Sequence, residues 1–146
     1  MSNNQFKRGE LYSVINGVAS TAVARRLQKN FRNAGLEITI EQWSILYHLW
    51  KDDGLSQQEL CTRTFRDKAS ITRLIDNIEK LGLVERIASK DDRRVNLVYL
   101  TDAAKPLQEA TYNLANQTMN EALQGISKEE IEIVKSVFQR VYENSK

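Results

Sequence analysis

Cysteine, histidine, proline and long apolar runs are all scarce in this sequence of 146 residues. The single cysteine, Cys61, excludes an internal disulfide, and one cysteine with one histidine disfavours a zinc site built by the protein. No stretch of about 18 apolar residues occurs, so we expect no membrane span. Residues 1–7 are polar and lack the apolar centre of a signal peptide. These absences predict a cytoplasmic protein with no metal, no other cofactor and no membrane partner.

Glycine and proline are also few, six and one, so little in the chain interrupts helix formation. Apolar residues recur at helical spacing near the start of the chain, at Leu11, Ile15, Val18 and Ala22. The pattern predicts one long first helix over about residues 5–33, ended by Gly35.

Side chains that can cap a helix mark the later helix starts. Thr39 precedes a second helix, and Thr101–Asp102 precedes a fifth. Ser56–Glu59 and Ser127–Glu130 match capping boxes, in which the Ser and Glu side chains satisfy free backbone N–H groups reciprocally. They predict a short third helix and a last helix that ends near Tyr142.

A fourth helix is predicted from about Asp67 to Leu81. After it, the spacing of apolar residues is no longer helical and indicates two strands. Val84–Ala88 and Val95–Leu100 are expected to form a hairpin with the polar tip Ser89–Arg94. The predicted fold class is mainly α with a small β-hairpin wing, a winged helix-turn-helix within one domain, 1–146. Its parts are a DNA-binding region, 36–101, and long flanking dimerisation helices, 5–34 and 102–146.

Charge is distributed unevenly although the net charge is only +2. Between Arg63 and Arg94 there are nine basic and six acidic residues, whereas from Asp102 to Lys146 there are five basic and seven acidic residues. A basic middle suits a nucleic-acid face. The apolar side of the fourth helix is expected to pack in the core. The residues expected on its solvent side are Lys68, Ser70, Thr72, Arg73, Asp76 and Asn77. Arginine there can read guanine, although any exposed helix face is polar.

The hairpin tip combines Lys90 with the adjacent Arg93 and Arg94. A slender cationic finger of this kind fits a minor groove or lies along phosphates. Asp92, two residues before Arg94, is placed to hold the Arg94 guanidinium. The alternative is a charged turn that merely faces solvent.

The order of several segments resembles the MarR (multiple-antibiotic-resistance regulator) family of winged-helix regulators. The matching segments are Ile40–Leu46, Ser56–Leu60, Ser70–Asp76, Leu81–Arg86, Asp92–Arg94 and Val98–Thr101. The resemblance implies that Ser70, Thr72 and Arg73 lie in the major groove, that Arg94 enters the minor groove, and that Arg86 serves packing or a phosphate. The predicted DNA contacts are therefore Lys68, Ser70, Thr72, Arg73, Asn77, Arg86, Lys90, Asp92, Arg93 and Arg94. Ala104 stands where the family commonly has glycine, so we expect a slightly different path into the fifth helix.

Apolar residues occur on more than one face of the last helix. The first helix is too long for the central part of the molecule to cover its whole apolar stripe. We expect a second copy to bury this surface, and the resemblance implies the same homodimer on a palindromic operator. It also implies a small aromatic effector, which Tyr12, Trp43 and Tyr47 are placed to bind, together with His48 and Trp50. The alternative is that both tryptophans belong to the core and His48 to the surface.

Other functions stay open alongside a DNA-binding regulator, which we expect to be a repressor relieved by a small molecule. A winged-helix module that binds protein or RNA would leave Arg73 and Arg94 dispensable. Redox sensing through Cys61 is a further alternative, although a buried structural cysteine is expected in the third helix. Because a glycine-rich phosphate loop, a metal-spaced His/Cys cluster and a Ser-His-Asp set are missing, the chain is predicted not to be an enzyme.

Overall fold

The computed structural model describes residues 8–146, which are mainly helical with one small antiparallel sheet, as the sequence predicts. The helices are α1 (Arg8–Asn16), α2 (Val18–Asn33), α3 (Ile40–Lys51), α4 (Gln57–Thr64), α5 (Lys68–Lys80), α6 (Lys105–Ala122) and α7 (Lys128–Ser145). The strands are β1 (Leu55–Ser56), β2 (Val84–Ala88) and β3 (Asn96–Leu100). No helix within this part of the chain is both long and apolar enough to cross a membrane.

Helix starts agree with the local capping signals. Thr39 Oγ1 accepts from the Gln42 N–H at 3.1 Å, and Gln42 Oε1 accepts from the Thr39 N–H at 2.9 Å. The predicted capping boxes at Ser56 and Ser127 form in the same way. Because each box involves residues only three apart, sequence alone can specify it.

The predicted first helix is broken at Gly17, which separates α1 from α2 and has φ +142°. Residues 5–7 of that prediction lie outside the described residues. The apolar stripe continues on both sides of the break, so periodicity could not reveal it. A glycine accepts this backbone angle at no steric cost, whereas a residue with a Cβ does not.

Thr101 was predicted to cap the helix after the wing, and this prediction is wrong. Its side chain makes no capping bond; Thr101 Oγ1 instead donates to the Gly82 carbonyl at 2.6 Å. A 3₁₀ turn, Asp102–Ala104, then leads into α6 and buries Ala104. The last helix also continues past the predicted end at Tyr142, as far as Ser145.

The sheet has the order β1-β3-β2, so β3 is its centre. β2 and β3 pair along the predicted hairpin, from Val84 opposite Leu100 to Ala88 opposite Asn96. β1 was not predicted, because its two residues are defined only by pairing with β3, Leu55 opposite Val98.

The chain divides into two compact units, and the boundaries between them lie within α2 and α6. One unit, Leu27–Ala115, holds the hydrophobic core of α3, α4, α5 and the sheet. Its fully buried side chains include Phe31, Ile45, Leu46, Leu49, Leu60, Ile71, Ile75, Ile78 and Val98. The other unit contains residues 8–26 and 116–146, and none of its described apolar side chains is buried in the single chain.

Gly54 is expected to tolerate substitution less well than other glycines with positive φ. At φ +76°, a Cβ would lie 2.7 Å from Tyr99 Cε1, so Gly54→Ala must strain the backbone and displace the ring. We expect a loss of about 2 kcal/mol in unfolding free energy. Gly35→Ala is the control, because φ is +78° but no atom lies within 4 Å of the added Cβ. Strain alone predicts about 1 kcal/mol there. Equal losses in urea unfolding would contradict the proposed clash.

Candidate nucleic-acid interface

Helix α5 has one face in the core and the opposite face in solvent. Ile71, Ile75 and Ile78 are fully buried. The Asp67 carboxylate caps the helix by accepting from the Ser70 N–H at 2.7 Å, and this bond holds the Asp67 pKa below its usual value. The predicted DNA-contacting residues of this helix all retain exposure: Lys68, Arg73 and Asn77 are exposed, and Ser70 and Thr72 are half-buried.

The Thr72 hydroxyl already has two protein partners. It donates to the Lys68 carbonyl at 2.9 Å and accepts from Gln57 Nε2 at 3.2 Å. Because a hydroxyl has one proton and two lone pairs, one acceptor position is left for a base or phosphate. In this conformation Thr72 can therefore accept a hydrogen bond from DNA but cannot donate one.

Arg86 on β2 is surrounded by acceptors from α4 and α5, and its side chain is only 17% exposed. Its guanidinium donates to Asp76 Oδ1 at 2.6 Å, to Glu79 Oε1 at 3.0 Å and to Gln57 Oε1 at 3.1 Å. A longer bond reaches the Thr72 carbonyl at 3.4 Å. These contacts join the wing to the helix that carries the predicted base-reading residues.

The wing tip is folded by its own polar groups. The Ser89 N–H donates to the Val95 carbonyl at 2.8 Å, and the Arg94 N–H donates to Asp92 Oδ1 at 3.1 Å. The predicted contact between Asp92 and the Arg94 guanidinium is present, with Nε to Oδ1 at 3.2 Å and Nη2 to Oδ2 at 3.5 Å. Since the Arg94 side chain is 91% exposed, this pair orients the arginine and contributes little to stability.

A cleft of about 360 Å³ separates the wing from the helix-turn-helix. Arg94 lines it from the wing and Lys68 from the first turn of α5, and Gln57 and Cys61 of α4 also line it. One anionic partner can therefore approach both elements at once.

Several cations of α5 and the wing tip are available to an outside partner. Within residues 8–146, no carboxylate lies within ion-pairing distance of Lys68, Arg73, Lys90 or Arg93. Unpaired cations on a helix and a neighbouring hairpin can contact the phosphates of DNA. Such contacts favour binding, because they release counterions condensed on the DNA.

Comparison with known proteins identifies the chain's relatives. The sequence profile of the MarR family matches residues 35–95, which contain α3, the helix-turn-helix and most of the wing. A solved probable transcriptional regulator from Pseudomonas aeruginosa is 30% identical, with a TM-score of 0.72 over 83% of this chain and 92% of that chain. The chain belongs to the MarR family of transcriptional regulators.

Two more distant structures share the fold of this MarR-family chain. A MarR protein from Peptoclostridium difficile superposes with a TM-score of 0.84 at 21% identity, over 99% of this chain and 92% of that one. A mutant MarR from E. coli, complexed with operator DNA, has a TM-score of 0.79 at 23% identity over 91% of each chain.

The residues predicted to bind an effector in this MarR-family chain fall in both compact units. Trp43 and Tyr47 lie on α3 with ring centroids 5.7 Å apart, whereas Tyr12 lies on α1. Tyr47 also stacks on Tyr112 at 6.0 Å, and hydrogen bonds from Lys51 and Tyr112 lower the Tyr47 pKa.

The predicted alternative, in which the tryptophans belong to the core, also has structural support. Both Trp43 and Trp50 pack against the core, and their indole Nε1 atoms are buried without a hydrogen-bond partner among the described residues. His48 is half-buried, and burial together with the charges of Arg63 and Lys51 lowers its pKa. The effector role of Trp43 and Tyr47 stays a prediction.

Cys61 was expected to be buried, and it is only partly so. One side packs against the core, while another borders the cleft beside Lys68 and Arg94. Gln57 was not singled out from sequence at all. Its amide joins Thr72 to Arg86, a link between α5 and the wing that no local pattern signals.

Proposed function

We propose that this chain is a dimeric regulator that binds duplex DNA in a sequence-specific manner. Helix α5 lies in the major groove with Ser70, Thr72 and Arg73 toward the bases, and Arg94 enters the adjacent minor groove. The observation that supports this most is the cleft that Lys68 on α5 and Arg94 on the wing both line. The operator-bound E. coli relative supports the same partner.

Arg86 has a positioning role in this proposal. Its donors are engaged by Gln57, Asp76 and Glu79, so it fixes the wing against α5 while other cations contact phosphate. The remaining cations at the wing tip, Lys90 and Arg93, are exposed and serve as phosphate contacts.

Selection of bound sequences from a random duplex pool tests the proposal. We expect an enriched palindrome whose half-site centres lie about 10 base pairs apart, because two α5 helices must meet one face of the duplex. A pool that shows no enrichment would contradict duplex reading. It would favour the alternative of a module that binds protein or RNA.

Arg94→Ala is expected to weaken binding to every duplex, because a minor-groove or phosphate contact carries little sequence information. The slope of log K against log salt should become shallower by about two, because each of the two copies in the dimer loses one cation and fewer counterions are released. Fluorescence anisotropy across a salt series measures both effects. Arg32→Ala is the matched control, an exposed arginine on α2 that removes the same charge outside the interface. Identical slopes for both variants and the unaltered chain would contradict the role of Arg94.

Apolar surface on the terminal helices supports a homodimer. The exposed apolar residues there include Leu11, Tyr12, Val14, Ile15, Val18, Met119, Ile126, Ile133, Val134, Val137, Phe138 and Tyr142. So many exposed apolar side chains on the terminal helices indicate a protein interface, and a second copy offers a matching surface.

Sedimentation equilibrium is expected to give twice the chain mass of 16.8 kDa at micromolar concentration. Phe138→Asp should shift the mass toward one chain, because it places a charge in the apolar interface. Gln139→Asp, at the next position of the same helix, should leave the dimer intact. A mass of one chain for the unaltered protein would contradict the proposal.

We also propose that the chain represses transcription and that a small aromatic molecule relieves the repression. The support is the aromatic cluster of Trp43, Tyr47 and Tyr112 with Lys51 Nζ 4.4 Å from the Tyr47 ring centre, a setting suited to an aromatic acid. Trp50→Phe leaves Trp43 as the sole indole fluorophore. Titration of that variant with 4-hydroxybenzoate should quench its fluorescence and release the operator. Quenching without release would contradict the regulatory role.

A further inference from the structure

Phe65 is the one non-glycine residue with positive φ in the described part of the chain, residues 8–146. It ends α4 in the left-handed region, at φ 52° and ψ 42°. The backbone N–H groups of Phe65 and Arg66 both donate to the Cys61 carbonyl, which closes the turn between α4 and α5. The side chain is 69% exposed, so a large aromatic ring projects from this turn.

Two features of Phe65 oppose the stability of the single chain. The left-handed conformation is disfavoured for residues with a Cβ, and glycine is the usual residue at such a helix end. An exposed phenyl ring also gains little from burial. A conflict between a residue and its backbone conformation points to a functional constraint on the residue.

The position of the ring indicates what that constraint is. Phe65 lies three residues before Lys68, the first residue of α5, and the preceding and following cations are Arg63 and Arg66. In a helix-turn-helix the first turn of the recognition helix meets the base edges, so the turn before it reaches the rim of the major groove. Arg63 is already paired with Asp52, but the two cations that follow Phe65, Arg66 and Lys68, form no ion pair within residues 8–146, and they favour an anionic partner over an apolar protein surface.

We propose that Phe65 contacts the 5-methyl group of a thymine at the rim of the major groove. Thymine methyls are the main apolar groups that duplex DNA presents in that groove, and a phenyl ring can pack against them. The contact would make Phe65 a specificity-determining residue. The inference rests on the proposed binding of duplex DNA, which it refines by adding one base preference per half-site.

Uracil substitution in the selected operator tests this contact, because uracil differs from thymine only by the missing methyl. The unaltered protein should bind about threefold to fourfold more weakly for each half-site in which one particular thymine is replaced. Phe65→Gly and Phe65→Asn, both compatible with positive φ, should bind the thymine and uracil duplexes equally at that position. Phe65→Tyr should retain the preference, because it retains the ring.

The ratio of thymine to uracil affinity is an internal measure that a partly unfolded variant does not alter. The proposal is overturned if no operator position shows a uracil effect that depends on residue 65. That result leaves duplex binding by the unaltered protein intact. Failure of the unaltered protein to bind any selected duplex would instead overturn the proposed function.

Discussion

Arg86→Met is expected to lose about 2–3 kcal/mol of unfolding free energy and to lose operator affinity with it. Methionine keeps the length and apolar character of the arginine stem but removes every donor. Asp76 and Glu79 would then face each other without the guanidinium that now lies between them, 2.6 Å and 3.0 Å away. Operator affinity should fall because the wing is no longer fixed against α5.

Arg63→Met is the matched control for this result. Arg63 also forms an ion pair in the same unit, with Asp52 at 2.7 Å, but both side chains are well exposed. Exposed pairs contribute little, so we expect a loss of about 0.5 kcal/mol or less. Urea unfolding followed by circular dichroism measures both variants. Equal losses would show that the contacts of Arg86 are no more stabilising than a surface pair.

Arg73→Ala is expected to lose about 1–3 kcal/mol of binding free energy for each half-site of the selected operator. Arg73 is exposed on α5, and its guanidinium can donate two bonds to guanine O6 and N7. Its removal should relax the preference at one base pair of each half-site and leave the other positions unchanged.

Competition with single-base operator variants distinguishes this effect from a general loss of charge. Arg94→Ala is the comparison, since it should weaken all duplexes by a similar factor and leave every preference as it was. An Arg73→Ala protein that retains all base preferences would contradict base reading by Arg73.

Structural elements that depend on contacts between residues close in sequence could be predicted from the sequence. Elements that depend on contacts between residues far apart in sequence could not. The cap predicted at Thr39 and the capping boxes predicted at Ser56 and Ser127 depend on contacts three residues apart, and all three are present. The hairpin is also local, and its strands agree with the predicted limits within one residue. β1 exists only through pairing with β3, and it was missed.

The same distinction holds for the candidate site. The Asp92–Arg94 contact spans two residues and was predicted. Arg86 could be placed on the wing from its sequence, but its partners Gln57 and Asp76 are 29 and 10 residues away. Likewise, the Thr101 hydroxyl donates a hydrogen bond to the carbonyl of Gly82, 19 residues away, and therefore does not cap the next helix. Tertiary packing decides each of these contacts.

Dimethyl sulfate protection of the selected operator measures directly whether α5 and the wing bind one duplex together. The reagent methylates guanine N7 in the major groove and adenine N3 in the minor groove, so one experiment observes both grooves. We expect protected guanines within each half-site and protected adenines beside it. Arg73→Ala should remove the first protection and Arg94→Ala the second. Protection confined to one groove, or minor-groove protection that survives Arg94→Ala, would contradict a shared DNA-binding surface.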